Sequence, residues 1–313
     1  QPVEEGAGSV STFIYKISKE AAEKDHQVKI VEREWSGKCS KEINDGIYFY
    51  RFPMVFGSDE PGSDPPTKMI NSMKGIIILF LQSFEFSLRV RKIVDSFEPD
   101  IIHAHTPFSA NILAHLIPGF SDRLVYTAHV GQEELRFGLG EQRGAAKTIY
   151  LPDLRLMSRS SRSSVLNQDV KMEIEERYSV GEITVVPNGV DIEKFSPNQS
   201  KNGANLEQYG IDSKKNTIMY CGSIIPRKNV LQIVKSIVEI PEENEVQLII
   251  AGDADVNNTY SQKVKEKKED IDSPHEIIIT GYVNQKVLRK IYACSDILIL
   301  PSEEEGFGMV VTE

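Results

Sequence analysis

Short apolar runs alternate with segments of helical periodicity along the whole chain. Runs rich in Ile and Val, separated by stretches with an apolar residue every three or four positions, are typical of βα units and a parallel sheet. The strands predicted in this way are Val28–Val31, Ile47–Phe52, Asp100–His105, Leu124–His129, Ile183–Pro187, Thr217–Cys221, Val246–Ala251, Glu276–Gly281 and Asp296–Leu300. The predicted helices cover residues 10–24, 68–97, 108–117, 169–178, 229–239, 260–270 and 285–294. Runs such as QLIIAG and DILILPS indicate strands buried on both faces.

A polar, turn-forming stretch at Pro197–Gly203 separates two such α/β patterns. We therefore predict two Rossmann-like domains, residues 1–195 and 196–313, and the length of 313 residues agrees with two domains. Ligands of open α/β sheets bind outside the carboxyl ends of the strands. We expect a cleft between two such sets of strand ends, and every candidate residue below lies at one of them.

Composition and charge exclude several classes of protein. The chain has 36 Lys plus Arg against 46 Asp plus Glu, a net charge of −10, so no nucleic-acid partner is expected. The cysteines Cys39, Cys221 and Cys294 form no CxxC pair, which favours a reducing cytoplasm over a disulfide framework or a zinc site. The longest apolar run, Gly75–Leu81, is too short to span a membrane.

The last segment of the chain carries the most specific pattern. A predicted strand leads into the acidic turn Ser302–Glu305, then a Gly-x-Gly element and an apolar stretch that begins like a helix. Glu305 and Glu313 are separated by seven residues, so a helix starting near Gly308 would turn both carboxylates to one side. Carboxylates can accept hydrogen bonds from the vicinal hydroxyls of a sugar or a ribose. An acidic surface turn before a helix is the alternative.

Five motifs in order resemble those of one enzyme family. The terminal PSEEEGFGMVVTE is similar to the E-x7-E signature of the retaining, GT-B-fold glycosyltransferases of family 4. The segments DIIHAH, PNGVDIEKF, CGSIIPRKN and GYV, which begin at residues 100, 187, 221 and 281, resemble other motifs of that family in the right sequence order. The resemblance covers nearly the whole chain. It implies an enzyme without a cofactor that moves a sugar from a nucleotide-diphosphate sugar to an acceptor hydroxyl with retention of the anomeric configuration.

The resemblance also implies a role for each matched residue. Glu305 would contact hydroxyls of the transferred sugar, Glu313 the ribose, and Lys228 the diphosphate, while Tyr282 and Val283 would hold the base through main-chain groups. His129, at the end of its predicted strand, would contact the transferred sugar. The implied catalytic residues are His129 and Glu305; the implied donor-binding residues are Gly8, Gly222, Ser223, Arg227, Lys228, Tyr282, Val283, Gly306, Phe307, Gly308 and Glu313.

Two departures from the family pattern stand out. Ser223 occupies a position where the family has Arg, which removes one cation from the leaving group; Arg227 is the residue that could compensate. The glycine loop at Gly6–Gly8 is split by Ala7, and the strand expected before it is absent. Glu313 ends the sequence where the family continues, so we expect an incomplete second domain and a poorly active or inactive fragment.

Neither the histidines nor an acidic pair suggests a metal site. We expect His103 and His105, which lie on one predicted strand, to point to opposite faces, where they cannot chelate one ion. Asp253–Asp255 reads as D-x-D but falls in a turn after a strand, where a turn or cap role is favoured. We therefore predict a metal-independent enzyme.

The predicted helix 68–97 and the identity of the substrates leave alternatives open. A core helix with a solvated end is favoured over a peripheral membrane face, and a cytoplasmic location is expected, with a place at the inner face of the membrane left open. The acceptor is a sugar, a lipid or a small molecule. A nucleotide-sugar-binding subunit without activity and a GT-B epimerase or phosphorylase are the rival functions. Sugar, base, acceptor and oligomeric state are not specified by the sequence.

Overall fold

The computed structural model describes residues 2–4, 8–57, 59–60, 69, 72–129, 146–196, 206–252, 259–303 and 305–313. It divides into two compact units, unit 1 from Gln1 to Asn188 and unit 2 from Gly189 to Glu313. The sequence pattern placed the domain boundary between residues 195 and 196, seven residues further along the chain.

Unit 1 begins with a small mixed sheet. Helix α1 (Ser9–Glu23) precedes strands β1 (Val28–Arg33), β2 (Lys41–Asn44) and β3 (Ile47–Phe52), which pair in the order β1-β3-β2. β1 and β3 are parallel, whereas β2 is antiparallel to β3 and exposed along its whole length. The sequence pattern missed β2 because none of its four positions is buried.

The second sheet of unit 1 is parallel throughout. Its strands β4 (Ile102–Ala104), β5 (Leu124–Ala128), β6 (Arg162–Val165) and β7 (Ile183–Val185) lie side by side in chain order. The helices of this part of the chain are α2 (Met73–Phe97), α3 (Pro107–Leu116), α4 (Phe120–Arg123), α5 (Ala146–Met157) and α6 (Gln168–Arg177). Asn167 begins α6 by accepting a hydrogen bond from the Val170 N–H at 2.8 Å.

Unit 2 contains one four-stranded parallel sheet. Strands β8 (Asn216–Cys221), β9 (Val246–Ala251), β10 (Glu276–Gly281) and β11 (Ile297–Leu298) pair in the order β10-β9-β8-β11. The described helices of the unit are α7 (Val230–Ser236), α8 (Thr259–Glu269), α9 (Gln285–Cys294) and α10 (Met309–Thr312). Crossover helices between parallel strands bring the carboxyl ends of all four strands to one edge of the sheet.

Burial confirms one strand prediction and corrects another. All six residues of β9 are buried, as the QLIIAG pattern predicts. The DILILPS run is different, because β11 pairs only with β8 at the edge of the sheet and its Ile297 is 54% exposed. An apolar run alone does not distinguish a central strand from an edge strand.

Candidate functional site

A lysine and a glutamate from distant parts of the sequence meet at the carboxyl end of β8. Lys228 lies in the short 3₁₀ turn Pro226–Lys228 that leads into α7, and its Nζ forms an ion pair with Oε1 of Glu305. Only 15% of the lysine side chain and 24% of the glutamate side chain are exposed. A pair this sheltered from water is held by mutual charge compensation, since neither ion could be buried alone at low cost.

The backbone holds the two loops that carry this pair against each other. The Glu303 N–H donates to the Arg227 carbonyl at 3.0 Å, so the acidic turn is fixed to the loop that carries Lys228. Asn229 closes that loop with φ of 53°, in the left-handed region where Asn is among the best-tolerated residues. The motifs around residues 221–229 and 300–313 are therefore fixed to each other through the backbone.

Three neighbouring strands end in glycines, which form an edge made of backbone. Gly222, Gly252 and Gly281 directly follow or end β8, β9 and β10. The Gly222 N–H donates to the Ala251 carbonyl at 3.0 Å, and the Gly252 N–H donates to the Gly281 carbonyl at 3.1 Å. A Cβ on Gly252 would lie 1.8 Å from the Gly222 carbonyl oxygen, so only glycine fits there.

Gly252 was missed by the motif comparison, although the sequence contained a signal for it. An apolar run that ends in glycine occurs at all three strands, and this repetition marks close backbone approach. Gly222 has φ of 148°, and a Cβ there would contact the Tyr220 hydroxyl at 2.9 Å. That hydroxyl donates to the Ser223 carbonyl at 2.9 Å and so fixes the first turn of the loop.

Glu313 is held by a tyrosine that sequence reasoning did not single out. The Tyr292 hydroxyl on α9 lies 3.2 Å from Oε2 of Glu313 and 3.3 Å from the Val310 carbonyl oxygen. Burial raises the pKa of the Cys221 thiol to about 11; the nearby Glu313 carboxylate raises this pKa and the Lys228 ammonium lowers it. Cys221 therefore lies within the field of both charged residues.

The two glutamates of the E-x7-E pattern have different surroundings. α10 begins only at Met309, with Gly308 before it at φ of 74°. Glu305 precedes this helix, so the turn and its pairing with Lys228 determine its position, and helical periodicity does not. Glu313 follows the helix and contacts Tyr292.

The other predicted donor-binding residues lie at nearby loops or at the start of unit 1. Gly281 has φ of 70° and open space around its α-carbon, Tyr282 is 70% exposed, and Val283 packs into the core beside α9. Gly306 and Phe307 are half-buried and directly follow the acidic turn. Gly8 begins α1 with φ of 128°, while Gly6 and Ala7 lie outside the described residues.

Three histidines gather at the carboxyl end of the parallel sheet of unit 1. Nδ1 of His105 lies 3.1 Å from Nε2 of His129, and Nε2 of His103 lies 2.7 Å from Oγ1 of Thr127. The rings of His103 and His105 have centroids 4.1 Å apart, so the prediction that they point to opposite faces is wrong. Residues two positions apart in a strand lie on the same face of the sheet, so the observed contact agrees with strand alternation, which the prediction had misapplied.

Burial keeps these histidines neutral at physiological pH. It lowers the pKa of His103 and of His129 to about 4 and that of His105 to about 2, with a smaller contribution from neighbouring histidines for the latter two. Phe13 of α1 packs edge-on against both His105 and His129, with ring centroids 5.8 and 5.3 Å away. Each neutral imidazole offers one donor and one acceptor nitrogen.

Among the residues that the structure describes, no group of three His, Cys, Asp or Glu side chains could hold a metal ion. The D-x-D segment Asp253–Asp255 lies outside the described residues, so its predicted turn role stays a prediction. None of the described helices combines the length and the apolar character needed to cross a bilayer.

Comparison with known proteins assigns both parts of the chain to related families. The family model for Glycosyltransferase Family 4 matches residues 10–194, more than half of the chain, and the model for Glycosyl transferases group 1 matches residues 202–313. One similar protein is the Escherichia coli UDP-Gal:alpha-D-GlcNAc-diphosphoundecaprenol alpha-1,3-galactosyltransferase. It is 25% identical over 256 residues, which cover 78% of this chain and 60% of that protein. The chain spans about half the length of the curated relatives it matches.

Solved structures agree on the fold. Sucrose-phosphate synthase from Thermosynechococcus elongatus superposes with a TM-score of 0.74 at 15% identity, over 97% of this chain and 72% of that one. Anabaena Alr3699/HepE, solved in complex with UDP and glucose, superposes with a TM-score of 0.57 at 18% identity, over 91% of this chain and 77% of that one. The fold is thus α/β with the parallel sheets of the GT-B glycosyltransferases.

Proposed function

Because this chain belongs to glycosyltransferase family 4, we propose that the protein transfers a sugar from a nucleotide-diphosphate sugar to an acceptor hydroxyl, with retention of the anomeric configuration. The donor binds at the carboxyl ends of β8, β9 and β10. Uracil is the first candidate for the base of the donor, since UDP occurs in the names of both the Escherichia coli relative and the Anabaena complex.

The contact between Lys228 and Glu305 is the observation that carries this proposal. It joins the residue proposed to bind phosphate to the residue proposed to bind sugar hydroxyls, 77 positions apart in the sequence. A diphosphate requires a cation, and the hydroxyls of the sugar attached to it require a hydrogen-bond acceptor close to that cation. In the absence of donor the two side chains compensate each other, and donor binding exchanges that contact for phosphate and hydroxyl contacts.

The glycines at the ends of β8, β9 and β10 also support the proposal. With no Cβ atoms on Gly222 and Gly281, a diphosphate or a base can approach the main chain closely. Arg227 adjoins Lys228 and compensates for the cation missing at Ser223. Tyr292 orients Glu313 toward the ribose hydroxyls.

The chemistry required of the protein is mainly positioning and charge stabilisation. The bond between the anomeric carbon and the diphosphate oxygen breaks, and the acceptor oxygen forms a bond to the same face of that carbon. The acceptor proton passes to an oxygen of the departing diphosphate, so no protein base is needed. Lys228 and Arg227 stabilise the negative charge that develops on the leaving group.

His129 serves the transferred sugar as a neutral hydrogen-bonding group. Because its Nε2 lies beside His105, its Nδ1 is the nitrogen left for a sugar hydroxyl. His105 is a positioning residue in this proposal, since it sets the tautomer of His129 and makes no contact with substrate itself.

The acceptor is proposed to be a sugar, a small molecule or a sugar linked to a lipid. The name of the Escherichia coli relative contains diphosphoundecaprenol, which favours the lipid-linked class for the first assays. The location proposed for the protein is the cytoplasm, and a peripheral place at the inner face of the membrane is the alternative.

A thermal-shift panel of UDP-, GDP- and ADP-sugars tests the donor proposal, since a ligand that binds the folded state raises its melting temperature. We expect one nucleotide to raise the melting temperature of the wild type, and Lys228→Ala and Glu305→Gln to reduce that rise. Lys235→Ala, a change of an exposed lysine on α7, is the matched control. No shift with any nucleotide sugar would contradict the proposal.

Product analysis then separates transfer from its rivals. Sugar appearing on an acceptor with retained configuration supports the transferase. Binding without any product identifies a nucleotide-sugar-binding subunit, while an epimerised nucleotide sugar or a sugar phosphate formed from inorganic phosphate identifies an epimerase or a phosphorylase.

A further inference from the structure

The Tyr292 hydroxyl connects three elements of unit 2 at the proposed ribose site. It lies 3.2 Å from Oε2 of Glu313 and 3.3 Å from the Val310 carbonyl oxygen of α10, and it also hydrogen-bonds with the Cys221 thiol at the end of β8. Burial raises the pKa of this hydroxyl, and the neighbouring Cys221 and Glu313 raise it further. The hydroxyl therefore stays protonated and can donate to Glu313, provided that the tyrosine ring holds it in place.

A second aromatic ring fixes the ring of Tyr292. The ring of Phe195 contacts it edge to face, with centroids 5.9 Å apart and an interplanar angle of 84°. Aromatic pairs prefer this arrangement, which stabilises them beyond the apolar area that they bury. Tyr292 also packs against the buried cluster that contains Met219 and Ile249. Phe195 and this cluster together restrict the directions in which the hydroxyl can point.

The segment that carries Phe195 is ordered by one aspartate. The Phe195 N–H donates to the Asp191 carbonyl at 2.9 Å, and the Lys194 N–H donates to Oδ1 of Asp191 at 3.0 Å. Residues 191–195 therefore form a single capped turn. Ile192 in the same turn is 77% exposed, whereas Phe195 is half-buried. The turn thus directs its aromatic side chain, and not its aliphatic one, into unit 2.

We propose that Phe195 is a positioning residue for binding of the donor ribose. It holds the ring of Tyr292 so that the hydroxyl keeps the Glu313 carboxylate directed at the ribose hydroxyls, and it does not contact the donor itself. A carboxylate that is already ordered loses less conformational entropy when the ribose binds. The inference rests on the proposed function, in which Glu313 binds the ribose. It gives a role to the end of the PNGVDIEKF motif, which lies where unit 1 passes into unit 2.

Calorimetric titration of the full chain with two ligands tests the inference. The first ligand is whichever of UDP, GDP and ADP gives the largest thermal shift, and the second is its 2′,3′-dideoxy analogue, which lacks the ribose hydroxyls. Phe195→Leu should weaken binding of the nucleoside diphosphate about fivefold and that of the analogue less than about twofold, because the analogue has no hydroxyl for Glu313 to accept from. Phe195→Tyr, which keeps the ring, should bind both ligands as the wild type does.

Two further variants separate positioning from general packing. Ile192→Ala changes the exposed side chain of the same turn and should leave both affinities unchanged. In a Tyr292→Phe background, Phe195→Leu should weaken binding of the nucleoside diphosphate less than about twofold, because the hydroxyl through which Phe195 acts is already absent. Calorimetry reports the fraction of binding-competent protein separately from affinity, so partial unfolding of a variant does not imitate the expected effect.

Equal weakening of both ligands in Phe195→Leu would overturn the inference, since it would indicate a general packing role. Unchanged affinities in Phe195→Leu would also overturn it, as would a full fivefold effect in the Tyr292→Phe background. A wild type that binds the nucleoside diphosphate and its dideoxy analogue equally well would contradict the ribose role of Glu313 in the proposed function. A wild type that binds neither would contradict the donor site, and the inference would fail in both of these cases.

Discussion

The carboxyl ends of the two larger parallel sheets present opposite kinds of chemistry. In unit 1, three histidines with lowered pKa values pack together as neutral groups, and Phe13 contacts His105 and His129. In unit 2, Lys228, Glu305 and Glu313 bring full charges to an edge of bare backbone. The charged end of unit 2 suits an ionic group such as a diphosphate, which requires cations. The neutral end of unit 1 suits hydroxyl groups, which uncharged donors and acceptors can hold.

The largest effect is expected from removing the positive charge of Lys228 at the strand ends of unit 2. Lys228→Met should lower kcat/KM by about 10²–10³-fold, because the developing charge on the leaving group loses its nearest counter-ion. Steady-state kinetics of the wild type, Lys228→Met and the control Lys235→Met measure this effect. Lys228→Arg should recover part of the loss, since it restores the charge. Unchanged kcat/KM in both Lys228→Met and Arg227→Ala would contradict the proposal that this loop binds the diphosphate.

The neutral histidines of unit 1 should make the free energy of unfolding depend on pH in acid. The unfolded chain takes up protons on its histidines near pH 6.5, whereas the folded state holds His129 neutral down to about pH 4. The free energy of unfolding should therefore fall as pH drops from 6.5 to 4, by about 3 kcal/mol for one such histidine. Urea unfolding at several pH values measures this slope.

The variant His129→Asn tests whether His129 contributes to this dependence of the free energy of unfolding on pH. The variant should lose less stability than the wild type over the same pH range, since it has one fewer histidine to protonate on unfolding. Parallel stability curves for the two proteins would show that His129 is not kept neutral by the fold.

The backbone edge of unit 2 can be tested through a single added methyl group. Gly252→Ala would place a Cβ against the Gly222 carbonyl, and we expect a loss of about 1–3 kcal/mol in the free energy of unfolding. Gly189→Ala, where no atom lies within 4 Å of the new Cβ, is the matched control and should be nearly neutral. Equal stability of the two variants would mean that the strand ends are not as close as described.

The smallest expected effect concerns the orientation of Glu313. Tyr292→Phe removes the hydroxyl 3.2 Å from this carboxylate, and we expect the KM for the donor to rise about fivefold with kcat nearly unchanged. Donor-saturation kinetics separate the two parameters. A fall in kcat without a change in KM would place Tyr292 in the chemical step instead of ribose binding.

The two ends also differ in how far the sequence predicts them. The loops around Lys228 and Glu305 are local motifs, so their positions at strand ends could be predicted from apolar runs followed by turn residues. Their pairing required the β8-β11 contact, which no local pattern encodes. Tyr292 and Gly252 were missed because a helical tyrosine and a strand-end glycine have many ordinary explanations.

The histidine cluster follows strand periodicity, although the prediction did not. His103 and His105 are two positions apart and therefore share a face, so opposite faces were predicted by a misapplied alternation, and their ring contact could have been predicted from the sequence. The contact with His129 comes from β5, a tertiary effect.

Hydrogen–deuterium exchange with and without the nucleotide sugar selected by thermal shift is the most direct measurement of where the donor binds. We expect slower exchange on donor addition in peptides that cover residues 221–229, 281–284 and 305–313, and smaller protection of these peptides in Lys228→Met. Protection confined to peptides that contain none of these residues would contradict the assignment of the donor to the carboxyl ends of β8, β9 and β10.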